Sequence, residues 1–318
     1  MSPAITLEGV TKRYGDLTAV DAVDLEVPEG SLCGFLGPNG AGKSTTIRMI
    51  MSIIYPDEGR ISVMGGSALD RKDDIGYLPE ERGLYRKMRV VELLRYVARL
   101  KGIDGSVLRA RVDDWLDRME LPDVRRKRCQ ELSKGMQQKI QFIASVIHEP
   151  DLVILDEPFS GLDPVNSRLL GRVIGELHGA GRTIIFSTHV LHQAEQICDR
   201  VVMIDRGRVV LDDSLAEIRR TFDPRSIRVE ASRDGEQLLE RLRSLEEVDS
   251  ATLHEDRETI ELRIGPGAPG EGGSIPAGIL DELGGEARVP SIELRPPTLD
   301  DVFVNLVGRS VGETDGAT

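Results

Sequence analysis

Three stretches of the chain carry side chains whose types and spacing suit chemistry on phosphates. Residues Gly37, Pro38, Asn39, Gly40, Ala41, Gly42, Lys43, Ser44 and Thr45 match G-x-x-x-x-G-K-[ST], with the apolar run SLCGFL before them and a helical pattern after. The glycines let the backbone turn its N–H groups, and the N-terminus of the following helix, toward an anion. In that pattern Lys43 reaches the β and γ phosphates of a nucleotide and Ser44 offers its hydroxyl to Mg²⁺. Downstream, LVILDEP sets Asp156 and Glu157 at the end of a buried apolar strand, where open α/β sheets hold their ligands. Asp156 suits Mg²⁺, directly or through water, and Glu157 suits a general base acting on the attacking water. Between the two lies ELSKGMQQK at 131–139, where Ser133 and Gly135 open a helix as a cap followed by a flexible glycine.

These groups need a frame. Residues 5–10 and 20–27 read as β segments, 31–36 as a strand entering the glycine-rich loop, and Thr45 to Ile54 as a helix ended by Pro56. Apolar residues at helical spacing over 90–120 predict a surface helical subdomain, spanning about 85–145 once the helix at 136–147 is included. The continuous apolar runs LVIL (152–155), TIIFS (183–187) and RVVMI (200–204) suit buried parallel strands, the last two each preceded by a helical stretch. Alternating strand and helix predict an α/β core.

The stretch from about Asp212 to Pro224 reads as a linker, so residues 1–215 are expected to form one domain and 225–310 another. The second shows strand 226–232, helix 235–245, strands near 248–254 and 258–264, helix 275–284 and strand 287–294. This βαββαβ order predicts a small α+β, ferredoxin-like domain closed by an amphipathic helix at 299–307. The run GPGAPGEGG at 265–273 is expected to be a flexible loop.

Composition narrows the function classes. The 318 residues hold 41 Lys and Arg against 54 Asp and Glu, a net charge of −13, and residues 221–318 alone carry 10 basic and 21 acidic side chains. An acidic C-terminal part is a poor partner for phosphate backbones, so no nucleic acid is expected, and only Arg125 to Arg128 form a basic cluster. No apolar run approaches the roughly 18 residues of a membrane span, and no signal peptide opens the chain, which predicts a soluble cytoplasmic protein. Cys33, Cys129 and Cys198 are too far apart for a zinc or disulfide pattern.

The wording LSKGMQ resembles the signature of the ATP-binding cassette (ABC) family, and other family marks follow: Tyr14 in KRYG, GYLPEERGLY at 76–85, SGLDP at 160–164 and STH at 187–189. The resemblance covers residues 5 to about 212 and implies a P-loop NTPase cassette that binds ATP and Mg²⁺. It implies that Tyr14 stacks on adenine. Ser133, Lys134 and Gly135 would meet the γ-phosphate held by a second cassette, with Asp163 lying across the dimer seam. His189 would contact that phosphate and orient Glu157. One departure stands out, because the family usually has glutamine where this chain has Glu80, whose carboxylate would add a ligand to the metal held by Ser44 and Asp156. PEERGLYRKM and the ending PPTLDDVFVNLVG are similar to ATP-binding subunits of prokaryotic exporters in the sodium-efflux and drug-export group. That implies a separate multi-spanning permease, a peripheral position on the inner face of the membrane, and a second cassette. Every catalytic position is filled apart from the glutamate at position 80, which favours a homodimer and leaves a heterodimer open. An importer subunit, or a soluble ABC ATPase acting on ribosomes or nucleic acid, is the alternative reading.

Overall fold

The computed structural model describes residues 3–81, 83–221, 226–231, 235–254, 256, 258–264, 275–284, 289–295 and 298–312. They divide into two compact units, Met1–Leu215 and Ala216–Thr318.

In the first unit the buried apolar runs become a six-stranded sheet. Its strands are β3 (Leu32–Leu36), β5 (Ile75–Leu78), β6 (Leu152–Asp156), β7 (Thr183–Thr188), β8 (Arg200–Asp205) and β9 (Arg208–Ser214), in the order β5-β6-β7-β3-β8-β9. All neighbours are parallel except β8 and β9. Strands β3, β6 and β7 are buried at every residue, which explains why they show no alternation in sequence. A second, antiparallel sheet places β1 (Pro3–Tyr14) between β2 (Leu17–Pro28) and β4 (Glu58–Val63). Its alternating residues Ile5, Leu7, Val23, Leu25 and Val27 join Phe35, Ile47, Ile154 and Ile185 in one core.

Helix α1 (Lys43–Ile50) ends a turn before the expected Ile54. Met51 N–H closes the last turn on Ile47 O, and Ser52 then takes a left-handed φ of 55°. The stretch 90–120 is two helices, α2 (Val90–Leu100) and α3 (Gly105–Arg118), because Gly102 takes a left-handed φ of 79° after α2 and Gly105, which opens α3, takes 71°. With α4 (Lys134–Val146) they enclose a core in which Trp115 meets Phe142 edge to face at 6.2 Å. The basic cluster serves this subdomain through its backbone, since the carbonyls of Lys127 and Arg125 receive the first N–H groups of α2, those of Val90 and Val91. Helices α5 (Pro164–Gly179) and α6 (Leu191–Ile197) complete the unit.

The expected linker at 212–224 is corrected. Residues to Ser214 belong to β9, and Leu215–Thr221 form helix α7; residues 222–224 lie outside the described residues. The two aspartates that look like loop residues are paired across the sheet, Asp213 with Val201 and Asp212 with Val202, and Asp212 Oδ1 lies 2.6 Å from Arg200 Nη2.

The second unit holds β10 (Ser226–Glu230), α8 (Gly235–Arg243), β11 (Val248–Leu253), β12 (Thr259–Ile264), α9 (Ala277–Gly284), β13 (Ser291–Arg295) and α10 (Leu299–Gly312). The sheet order β11-β12-β10-β13, all antiparallel, is that of a ferredoxin-like fold. Ile227, Val229, Ile260 and Leu262 meet Leu238, Leu242, Ile279 and Leu283 from the two helices. Strand β13 starts at Ser291, later than expected, after Pro290, which has no N–H for a ladder. The GPGAPGEGG run lies outside the described residues.

Candidate functional site

Four neighbouring strands, β5, β6, β7 and β3, bring their carboxyl ends together at one edge of the sheet. Each is followed directly by residues singled out above: Glu80 after β5, Glu157 after β6, His189 after β7 and the glycine-rich loop after β3. This is where an open α/β sheet leaves its ligand crevice.

The loop from Gly37 to Gly42 is held from below, with Ala41 N–H bonded to Pro38 O at 3.2 Å and Gly207 N–H to Ala41 O at 2.9 Å. Gly42 takes φ 109°, and a Cβ there would lie 2.5 Å from Ala19 O; at Gly37 it would lie 2.2 Å from Ile204 O. Larger residues would therefore force the loop open. Pro38, Asn39 and Gly40 are exposed, while Ala41 and Lys43 are buried. Lys43 Nζ donates to Gly37 O at 2.7 Å and Pro38 O at 3.0 Å. Burial lowers its pKa, and Glu157, Asp156 and Glu80 counter that shift, so the ammonium sits among three carboxylates that favour its charge. Ser44 and Thr45 lie in the first turn of α1.

Ser44 Oγ lies 3.2 Å from Asp156 Oδ1 and 3.5 Å from Glu80 Oε2. Asp156 is 1% exposed, and its second oxygen, Oδ2, is buried without a hydrogen-bond partner. A buried ionised oxygen without a donor is costly unless a cation meets it. The donors here are all oxygen, which suits a hard cation such as Mg²⁺. Among the described residues no cluster of His, Cys, Asp or Glu could hold a metal on its own. This small set therefore fits an ion that arrives with phosphates, since Mg²⁺ usually takes one or two carboxylates plus substrate oxygens.

Ser187 ties the Asp156 carboxylate to the backbone of Glu157. Its Oγ donates to Asp156 Oδ1 at 2.6 Å and accepts from Glu157 N–H at 3.0 Å; Ser187 is the parallel neighbour of Asp156 in the ladder and is fully buried. Glu157 takes a left-handed φ of 50°, a strained state for a non-glycine residue. Its Oε1 lies 2.9 Å from His189 Nδ1. A carboxylate only accepts, so Nδ1 carries the hydrogen and Nε2 is left for another partner. The Glu157 side chain is 12% exposed and that of His189 is 48% exposed. A largely shielded carboxylate oriented by an imidazole can take a proton from water.

The remaining candidates form a second group. Ser133 caps α4, accepting from Met136 N–H at 3.2 Å, with Lys134 and Gly135 in the first turn. Asp163 caps α5 through Val165 and Asn166 N–H groups at 3.0 and 2.9 Å, and these bonds, led by that from Asn166, lower its pKa. Tyr14 is 50% exposed at the end of β1, with Lys12 Nζ 5.7 Å from its ring centre. Among the described residues no hydrogen bond joins Tyr14, the Ser133–Gly135 turn or Asp163 to the glycine-rich loop.

Two groups at the site escape a reading by motif. Ser187 stands in the STH triplet without a visible task of its own. Gln141, inside α4, donates from Nε2 to Pro79 O at 3.2 Å and to Glu81 O at 3.0 Å, gripping the chain on both sides of Glu80. The only sequence signal for Gln141 is its polarity in an otherwise apolar stretch.

Residues 20–160 match the model of the ABC transporter family, and residues 214–307 match that of the C-terminal domain of DrrA1-3-like ATP-binding proteins. The uncharacterized ABC transporter ATP-binding protein YhaQ of Bacillus subtilis is 40% identical, over 96% of this chain and 98% of its own. The daunorubicin resistance ATP-binding protein DrrA3 of Streptomyces coeruleorubidus is 34% identical, over 96% of each. Among solved structures, the bacterial ABC transporter cassette MJ0796, a dimer, superposes with a TM-score of 0.62 at 25% identity, covering 66% of this chain and 98% of that one. No helix among the described residues is long and apolar enough to cross a membrane. Likeness of this degree over nearly the whole of both chains is membership: the chain belongs to the ATP-binding subunits of ABC transporters, ATPases that bind and hydrolyse ATP.

Proposed function

We propose that this subunit powers export through a separate membrane permease, with residues 1–215 as the ATPase domain and 225–310 as an accessory domain. The observation that carries the catalytic part is the Glu157–His189 contact at 2.9 Å beside the Ser44–Asp156 pair. The loop Gly37–Thr45 would cradle the ATP phosphates, with Lys43 turning from its carbonyls to them, and Tyr14 would stack on the adenine. Ser44, Asp156 and Glu80 would hold Mg²⁺, which when bound neutralises charge on the phosphate oxygens. Glu157 would take a proton from the attacking water as its oxygen bonds to the γ-phosphorus and the bond to the ADP oxygen breaks. His189 would orient Glu157 and meet the γ-phosphate.

The Ser133–Gly135 turn and Asp163 would act on a second cassette, so that two copies close head to tail over two nucleotides. A helix N-terminus capped by Ser133 suits an anion, and the dimeric MJ0796 cassette supports this arrangement. Differential affinity of ATP for the closed pair would then drive the permease. Export is favoured over import by the DrrA-like C-terminal match and by relatives named for drug resistance, and it would place the subunit on the cytoplasmic face of the membrane. The test is tagged Glu157→Gln, which keeps the metal oxygens and loses the base. Solubilised in ATP from its own host, it is expected to bring down a multi-spanning protein together with a second cassette. Recovery of ribosomal protein or nucleic acid without a membrane partner would refute the transporter reading.

A further inference from the structure

Position 141 is an unexpected place for a glutamine. It lies on the buried side of α4 beside Ile140, Phe142 and Ile143, each 0% exposed, and is itself 6% exposed. A leucine or methionine would pack there without desolvating an amide. The side-chain carbonyl Oε1 is buried without a partner, which costs stability because the desolvated acceptor gains no bond in return. The compensation is all on the nitrogen, whose two hydrogens go to Pro79 O and Glu81 O. The opposite amide orientation would set Oε1 against two carbonyl oxygens, so the chemistry fixes which atom faces the loop. Residue 80 is thereby suspended between two tethered carbonyls, and its carboxylate stands 3.5 Å from Ser44 Oγ.

The same helix reaches the other side of the site. Gln138, one turn earlier and 2% exposed, donates to Pro158 O at 3.0 Å, next to Glu157. The N-terminus of α4 is the Ser133 turn. One helix therefore carries an end capped by Ser133 and two amide grips, on the chain after Glu157 and around Glu80.

We infer that Gln141 is a positioning residue that fixes the Glu80 carboxylate at the metal side of the ATP site and ties it to the helix opened by Ser133. This rests on the proposed role of Glu80 as a metal ligand. A displacement of α4 at its capped end would move the Pro79–Glu81 segment with it, because the two amide bonds leave the segment little play. Gln141 touches neither nucleotide nor metal; it acts through Glu80.

The test compares Gln141→Met, Glu80→Gln and the double variant in the full chain, reading ATPase rate against Mg²⁺ concentration and ATP binding in EDTA. Loss of an orienting partner costs about 10- to 100-fold in metal affinity. Gln141→Met is thus expected to raise the half-activating Mg²⁺ about tenfold, with metal-free ATP affinity unchanged. The double variant should match Glu80→Gln, because a residue acting only through Glu80 adds nothing once Glu80 is changed. If Glu80→Gln shifts the Mg²⁺ requirement and Gln141→Met does not, the inference about Gln141 is overturned while the Glu80 reading stands. If Glu80→Gln has no effect on that requirement, both fall. Gln141→Glu, which matches the shape and lacks the donors, serves if the methionine variant does not fold. A loss of metal-free ATP binding in either variant would mean a packing role and would also overturn the inference.

Discussion

Replacing Ser187 by alanine removes a single oxygen that makes two bonds, to Asp156 Oδ1 at 2.6 Å and from Glu157 N–H at 3.0 Å. The first is charge-assisted and contributes about 1.5–3 kcal/mol; the second, once lost, leaves an N–H without an acceptor at about 1–3 kcal/mol. Asp156 keeps its 3.2 Å contact with Ser44, so the metal side is only partly released. Glu157 loses the bond that helps hold its strained backbone, and its carboxylate can drift from the water it must deprotonate. If about 2.7 kcal/mol of this falls on the transition state, kcat drops about 100-fold. ATP affinity should stay within about threefold, because Ser187 bonds to none of the residues from Gly37 to Thr45. A fall in Tm of about 5–24 °C should accompany it, since the two losses together come to about 2.5–6 kcal/mol and each kcal/mol shifts a unit of this size by about 2–4 °C. Steady-state ATPase kinetics and a thermal melt on the same preparation read all three quantities. A kcat within about threefold of the parent would refute the claim that Ser187 organises the Asp156 carboxylate and the Glu157 backbone for turnover.

Lys43→Ala should lose nucleotide affinity by at least about tenfold, because a buried ammonium held by the loop carbonyls, its charge favoured by Glu157, Asp156 and Glu80, is the point charge for the phosphates; unchanged affinity by calorimetry would contradict the loop assignment. His148 is kept neutral, its pKa lowered to about 4, chiefly by burial and then by Lys101, against its bond to Ile75 O at 3.1 Å. Its folded-state value lies below the unfolded value, so the unfolded chain takes up the proton first. Stability from this residue is full above about pH 6.5 and is lost as pH falls toward 4. His148→Gln should flatten the decline of Tm over that window, as followed by circular dichroism, and a parallel decline in both proteins would count against this assignment.

The legible parts of this chain are those fixed by local pattern. LVILD and TIIFST read as strands because central parallel strands are apolar on both faces, and the glycine-rich loop reads from its spacing alone. Strands β4 and β5 carry no clear strand pattern in the sequence, one because EGRISV is half polar and the other because IGYL is four residues long. The DDS end of β9, from Asp212, reads as a linker because the partner that neutralises Asp212 is Arg200, on the strand before. The tasks of Ser187 and Gln141 depend on groups 31, 60 and 62 residues away. Distance along the chain hides such pairings until the sheet brings the strand ends together.

The left-handed backbone of Glu157 bears on how such a subunit can be engineered. A residue at φ 50° is more strained as glutamate than as glycine or asparagine. Glu157→Gly or Glu157→Asn would thus relieve the backbone while removing the base. A library ranked only by heat resistance would enrich these substitutions and yield sturdier, inactive proteins, whereas a screen that scores turnover alongside melting keeps the glutamate.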